Sequence, residues 1–202
     1  PVADAVVEAI CDAAVAAATK EKGSAPVDES TLRCLMGNSS GSHQHTSILT
    51  LLGYHVGSRH RRRQPSTLVA PHTDVGVITM LIFDAGDCAT LQRKSAPSKE
   101  KNNKDNNNKD DDEDDWIDVS LPPIIPEDPI FVVNIGDCLS QILQSSSGLP
   151  STLHRVIPRK GRTAPRNCLA LFVGLEPDQI IHIPEGKEGE ETMTYEEWRK
   201  RR

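Results

Sequence analysis

Between Ser47 and Glu176 the chain is cut into eight short apolar runs, and this segmentation limits its fold more than any other feature. The runs read SILTLLGY, STLVA, VGVITMLIF, ATLQR, WIDVSL, PIFVVNIG, TLHRVI and NCLALFVGL. Each has strand length and is divided from the next by turn-forming residues, while helical periodicity is scarce. Strands of this kind pack as an antiparallel barrel or sandwich. Aromatic residues make up only 3% of the 202 residues, so the core must rest on Val, Ile, Leu and Ala. Within this region only GDCLSQILQSSSG has room for a helical turn or two.

The flanks and one internal segment follow other rules. Residues 1–20 are rich in Ala and Val, with Asp4, Glu8 and Asp12 spaced four apart, which predicts a short N-terminal helix with one wet stripe. A polar loop containing His43 and His45 follows, and these read as solvated loop histidines. Arg61, Arg62 and Arg63 form a basic cluster, either a solvated hairpin loop or an attractor for an anionic substrate. Residues 94–115 hold eight acids, five lysines and five asparagines and can bury almost nothing, so a disordered insertion is expected there. Without it, ATLQR runs into WIDVSL as the two strands of one hairpin would. Beyond Glu176 the chain is polar, with Pro177 and Pro184 as breakers, and TMTYEEWRKRR predicts a terminal helix. The expected organisation is a helix and loop over 1–46, a β-domain over 47–176 and a tail with helix over 177–202.

Charge and cysteines narrow the class. A formal net charge of -6 gives no basic balance for a nucleic-acid or membrane-surface partner. No apolar run approaches the roughly 18 residues of a membrane span, and the acidic first residues do not read as a signal peptide. Five scattered cysteines without a C-x-x-C pattern argue against a disulfide framework and for a reducing compartment, most simply the cytoplasm.

The chemistry begins at LVAPHTDVGVITML, where His72 and Asp74 interrupt an apolar segment. In an extended strand, residues i and i+2 share a side, so both can reach one point, a metal ion or a turn. A second histidine, His154, stands in STLHRVIP on another strand. Two imidazoles and one carboxylate on one face of an iron leave neighbouring coordination positions open, the arrangement of non-haem Fe(II) oxygenases. The bland alternative makes His154 a strand histidine bonded within the core. Arg166 opens the run RNCLALFVG and shares a face with Cys168. A buried guanidinium needs an anion, and its planar fork suits a carboxylate; a protein acid or an exposed position would satisfy it too. Arg162, in the turn at Gly161, is the weaker candidate for that role. Asn134, Gly136 and Asp137 suit a strand-ending turn, Pro71 fixes φ before His72, and Gly76 permits a tight backbone path.

In this order, PHTDVGVITML, WIDV, VVNIGDCL, STLHRV and RNCLALFV resemble the 2-oxoglutarate/Fe(II)-dependent dioxygenases of the isopenicillin N synthase-like family. The resemblance covers roughly Ser47 to Glu176, and TMTYEEW is similar to the family's C-terminal helix. It implies a mainly β fold, a double-stranded β-helix or jelly roll, with a short N-terminal helical segment. It also implies iron ligands at His72, Asp74 and His154. Arg166 and Cys168 stand where the family has its R-x-S co-substrate motif, and Tyr54 falls where a tyrosine touches the same co-substrate. The implied reaction uses Fe(II), 2-oxoglutarate and O2 to hydroxylate, desaturate or cyclise a small molecule, in the manner of specialised metabolism. R-x-S is here Arg166-Asn167-Cys168, and a thiol is a weaker donor than a hydroxyl. That departure keeps open an Fe(II) oxidase not using 2-oxoglutarate, and the short N-terminal region keeps open a truncated, non-catalytic metal-binding member.

Overall fold

The computed structural model of the chain describes residues 46–55, 67–84, 86–87, 89–95, 115–120, 131–143, 149–185 and 189–202, with the isolated residue 9. The expected N-terminal helix, the His43 and His45 loop, the Arg61–Arg63 cluster and nearly all of the insertion lie outside these residues.

Each of the eight runs contains a strand. They are β1 (Ile48–Tyr54), β2 (Val69–His72), β3 (Ile78–Phe83), β4 (Ala89–Lys94), β5 (Trp116–Asp118), β6 (Val132–Ile135), β7 (His154–Pro158) and β8 (Arg166–Val173). GDCLSQILQSSSG supplies the short helix α1 (Asp137–Ile142). Two four-stranded antiparallel sheets result, ordered β1-β8-β3-β6 and β2-β7-β4-β5. Every consecutive pair of strands except β4–β5 crosses from one sheet to the other, so the chain winds as a jelly roll. The exception is the expected hairpin. Lys94 lies opposite Trp116, and the Ser95 N–H donates to the Asp115 carbonyl at 2.7 Å, so the two ends of the insertion meet at the hairpin tip.

The two sheets pack face to face. Leu81, Cys168 and Ala170 of the first meet Leu91 and Val156 of the second, with Leu52, Val69, Phe83 and Phe172 around them. On its other face the first sheet presents Ile78, Met80, Leu171 and Val173 to Leu139 and Ile142 of α1. Burial on both faces explains why Ile78-Thr79-Met80-Leu81 reads as an apolar run rather than an alternation.

The segment after Glu176 departs from expectation. Instead of a polar tail it forms β9 (Ile180–Glu185) and β10 (Gly189–Thr194), a hairpin, followed by α2 (Tyr195–Lys200). Ile181, Ile183, Met193, Tyr195 and Trp198 are buried in the outer core beside α1. Pro184 does not break β9, because in a two-stranded sheet each strand has a free edge on which a missing N–H costs nothing. The expected helix starts at Tyr195, where a capping box fixes it: the Thr194 hydroxyl accepts from the Glu197 N–H, and the Glu197 carboxylate accepts from the Thr194 N–H. Among the described residues no helix is long and apolar enough to cross a membrane.

Candidate metal centre

His72 closes β2, an edge strand, and lies opposite His154, which opens β7. The register shifts between Val69 and His72, at the irregularity that holds Pro71. The two imidazoles stand 4.3 Å apart, tilted by 53°. His72 Nδ1 is 2.8 Å from the Ala70 carbonyl, and His154 Nδ1 is 2.8 Å from the Thr152 carbonyl. A carbonyl can only accept, so each Nδ1 carries the hydrogen, and in the neutral ring each Nε2 keeps its lone pair. Metal-binding histidines are oriented in this way.

Asp74 reaches the same point by another route than the strand geometry predicts. β2 stops at His72, and Asp74 comes from the following turn. That turn is tied to the start of α1: the Asp137 N–H donates to the Asp74 carbonyl at 2.7 Å, and the Gly136 N–H to the Val77 carbonyl at 2.9 Å. The turn also lies close against the end of β8, where a Cβ on Gly76 would lie 2.5 Å from the Val173 carbonyl oxygen. Asp74 Oδ1 is 3.8 Å from His72 Nε2, and Oδ2 is 3.9 Å from His154 Nε2. One donor atom from each of the three side chains lies within 4.8 Å of the others. Asp74 and His154 are each only 6% exposed, and Asp74 Oδ2 has no hydrogen-bond partner. A buried carboxylate oxygen without a donor, facing imidazole lone pairs, is costly unless a cation joins them. Two nitrogens and a carboxylate suit iron, and the trio fits such an ion.

The three side chains line a cavity between the sheets, together with Tyr54, Thr79, Phe83 and Cys168. Its other walls are aliphatic or aromatic, including Leu52, Leu81, Leu91 and Phe172. Tyr54 lies opposite Arg166 across β1 and β8. Burial pushes the Tyr54 phenol up and Cys168 adds to this, while Arg166 opposes it. Cys168 is wedged between Leu52 and Phe83 on the neighbouring strands, and burial pushes its thiol up to about 11 against the pull of Arg166. It is therefore a neutral thiol at neutral pH. Arg166 is buried and stands beside the cavity wall, its guanidinium 4.0 Å above the Phe83 ring and donating to the Ala89 carbonyl at 2.7 Å. Among the described residues no carboxylate pairs with it at ion-pair distance, and burial lowers its pKa. Arg162 does not compete: it pairs at 3.3 Å with Asp87 on the surface, beside Gly161 at φ 74°.

Phe83 and Thr79 were not among the sequence candidates. The available signal was register, since Phe83 lies opposite Cys168 and alternation from Phe83 points Leu81 and Thr79 inward.

No family model and no curated protein matches the chain. Solved structures do. A full-length Neurospora crassa protein in complex with alpha-KG is 26% identical with a TM-score of 0.54, over 78% of this chain and 44% of that one. The same protein with alpha-KG and thymine gives 27% and 0.52, over 75% and 42%. A dioxygenase for auxin oxidation from rice gives 20% and 0.53, over 87% and 53%, and supports the fold alone. This chain thus spans about half the length of these proteins or less. The isopenicillin N synthase-like subgroup rests on the sequence motifs only. The jelly roll and the His72–Asp74–His154 trio make this chain a structural relative of the 2-oxoglutarate/Fe(II)-dependent dioxygenases.

Proposed function

We propose that the protein is an Fe(II)- and 2-oxoglutarate-dependent dioxygenase that oxidises a small organic substrate. The buried, partnerless Asp74 oxygen between two imidazoles whose Nε2 atoms are free carries this reading. His72, Asp74 and His154 would hold the iron, which when bound supplies the activation of O2 that no side chain can perform.

The remaining roles belong to the chain itself. Arg166, a buried cation without a carboxylate partner among the described residues, would hold the distal carboxylate of 2-oxoglutarate by charge-assisted hydrogen bonds. Tyr54 lies across the strand pair from it and would donate its phenol proton to the same carboxylate, its raised pKa keeping that proton in place. Cys168 would pack beneath the co-substrate as a weak donor. The apolar walls would exclude water and accept the substrate's carbon skeleton. The thymine in the Neurospora crassa structure supports a substrate of that size class; hydroxylation, desaturation and ring closure all fit the site, and a role in specialised metabolism follows the family resemblance. We place the protein in the cytoplasm from its scattered cysteines, of which Cys138 and Cys168 are free.

Cys168 favours one second reading, an Fe(II) oxidase in which Arg166 holds the substrate's own carboxylate. Adding 2-oxoglutarate to the anaerobic Fe(II) protein separates the two. A weak visible charge-transfer band is expected; retained iron with no band would move the assignment to the oxidase.

A further inference from the structure

The turn that delivers Asp74 is gripped from a second side, by residues far away in sequence. Asp137 Oδ2 accepts from the Thr73 hydroxyl at 3.2 Å and from the Arg202 guanidinium at 2.7 Å. The same residue's N–H holds the Asp74 carbonyl. Asp137 is therefore bonded to two consecutive residues of the turn, Thr73 by its side chain and Asp74 by its backbone. Its carboxylate is only 10% exposed, and it lies against the turn that carries a second buried carboxylate, that of Asp74. Among the described residues Arg202 is the cation in contact with it.

Arg202 follows α2 and packs 5.7 Å from the Trp198 ring. Trp198 in turn donates its indole N–H to the Gln141 side chain of α1 at 2.8 Å. α2 thus meets α1 at two points, and one of them, Asp137, is bonded to the ligand turn. Helix α2 contributes nothing to either sheet of the jelly roll, so this linkage joins the metal site to an element outside the jelly roll.

We propose that Asp137 and Arg202 are positioning residues for the metal ligand Asp74, and that the C-terminal helix thereby sets how tightly the ion is held. This rests on the metal-site reading above. Arg202 fixes the Asp137 carboxylate, Asp137 fixes the path from Thr73 to Asp74, and the Asp74 carboxylate is left facing the two imidazoles. Bonding partners behind metal ligands are worth roughly 10- to 100-fold in affinity.

The test uses the full chain and Co(II) as probe, with affinity from chelator competition and geometry from the visible Co(II) spectrum. Arg202→Ala is expected to weaken Co(II) binding roughly 10-fold and to alter the spectrum, with Arg202→Lys restoring most of both. Thr73→Val cuts the brace without touching α2 and is expected to weaken binding in the same direction. Arg201→Ala removes a neighbouring contact of α2, the ion pair with Glu191, and is expected to leave affinity and spectrum unchanged. Unaltered Co(II) binding by Arg202→Ala and Thr73→Val overturns the brace alone. So does an equal loss in Arg201→Ala, which would mean only that α2 had been loosened. A wild-type chain that binds no Co(II) overturns the metal reading, and the brace with it.

Discussion

On the outer face of the first sheet, Ile78, Met80, Leu171 and Val173 meet Leu139, Ile142, Ile183, Met193 and Trp198 in a layer where nearly every buried group is apolar. On its inner face, alternate residues of the same strands, Thr79 and Arg166 among them, accompany Asp74 and His154, all four less than a tenth exposed. The outer layer is stabilised by area removed from water, about 1.5–3 kcal/mol for each large apolar side chain. The inner layer contains a carboxylate oxygen without a donor and a guanidinium held by one carbonyl and one ring. Buried polar groups in that condition reduce stability. One sheet therefore carries the fold on one side and the chemistry on the other, and the two should separate under mutation.

The sharpest break is at the metal ligands. His154→Ala is expected to abolish substrate-stimulated succinate release, read by mass spectrometry, while the ion-free protein melts within about 1 kcal/mol of wild type. A large loss of stability in the ion-free variant would mean that His154 is a core residue and that the two faces are not distinct. The mirror experiment is Leu139→Ala in the outer core, where a cavity should cost about 2–5 kcal/mol in denaturant unfolding and metal affinity of the folded fraction should persist. Between these lies Arg166→Leu. It should keep iron and lower 2-oxoglutarate affinity roughly 10- to 100-fold, from losing about 1.5–3 kcal/mol of charge-assisted hydrogen bonding, as read by titrating the anaerobic charge-transfer band.

The smallest effect is one the two faces share. Cys168 on the inner side and Cys138 on the outer are both buried, and burial pushes their thiols to about 11 and about 12 from an ordinary 9.0. The unfolded chain ionises first, so above pH 9.0 it binds fewer protons than the native state, and stability falls as pH rises through the folded values. Melting temperature should decline across that window, and less steeply in Cys168→Ser. A flat profile would mean that neither thiol is held neutral.

Much of this was legible in the sequence because it is local. Eight strands are punctuated by turn residues, and the pattern at His72, Asp74 and His154 offered a metal site, with a turn and a core-bonded histidine as the alternatives it left open. The C-terminal hairpin was not legible: Ile181 and Ile183 alternate as a strand should, but Pro184 and the charged residues after it imitate a loop. Pairing with β10, a tertiary fact, decides the matter. The delivery of Asp74 was hidden for the same reason. Its turn is shaped by the Asp137 N–H, far along the chain, and by Arg202 beyond that, and no pattern near His72 announces either. Arg166 was a candidate anion-binding cation with an exposed position left open, whereas its burial and its stacking on Phe83 depend on the β3–β8 register.

The central claim is that His72, Asp74 and His154 close on a single ion. Anaerobic titration of Fe(II) into the full chain, beside Asp74→Asn, addresses it most directly. One iron per chain is expected for the wild type, with binding lost in the variant, where an amide replaces the charge that the cation requires. Equal binding by both, or none by either, would contradict it.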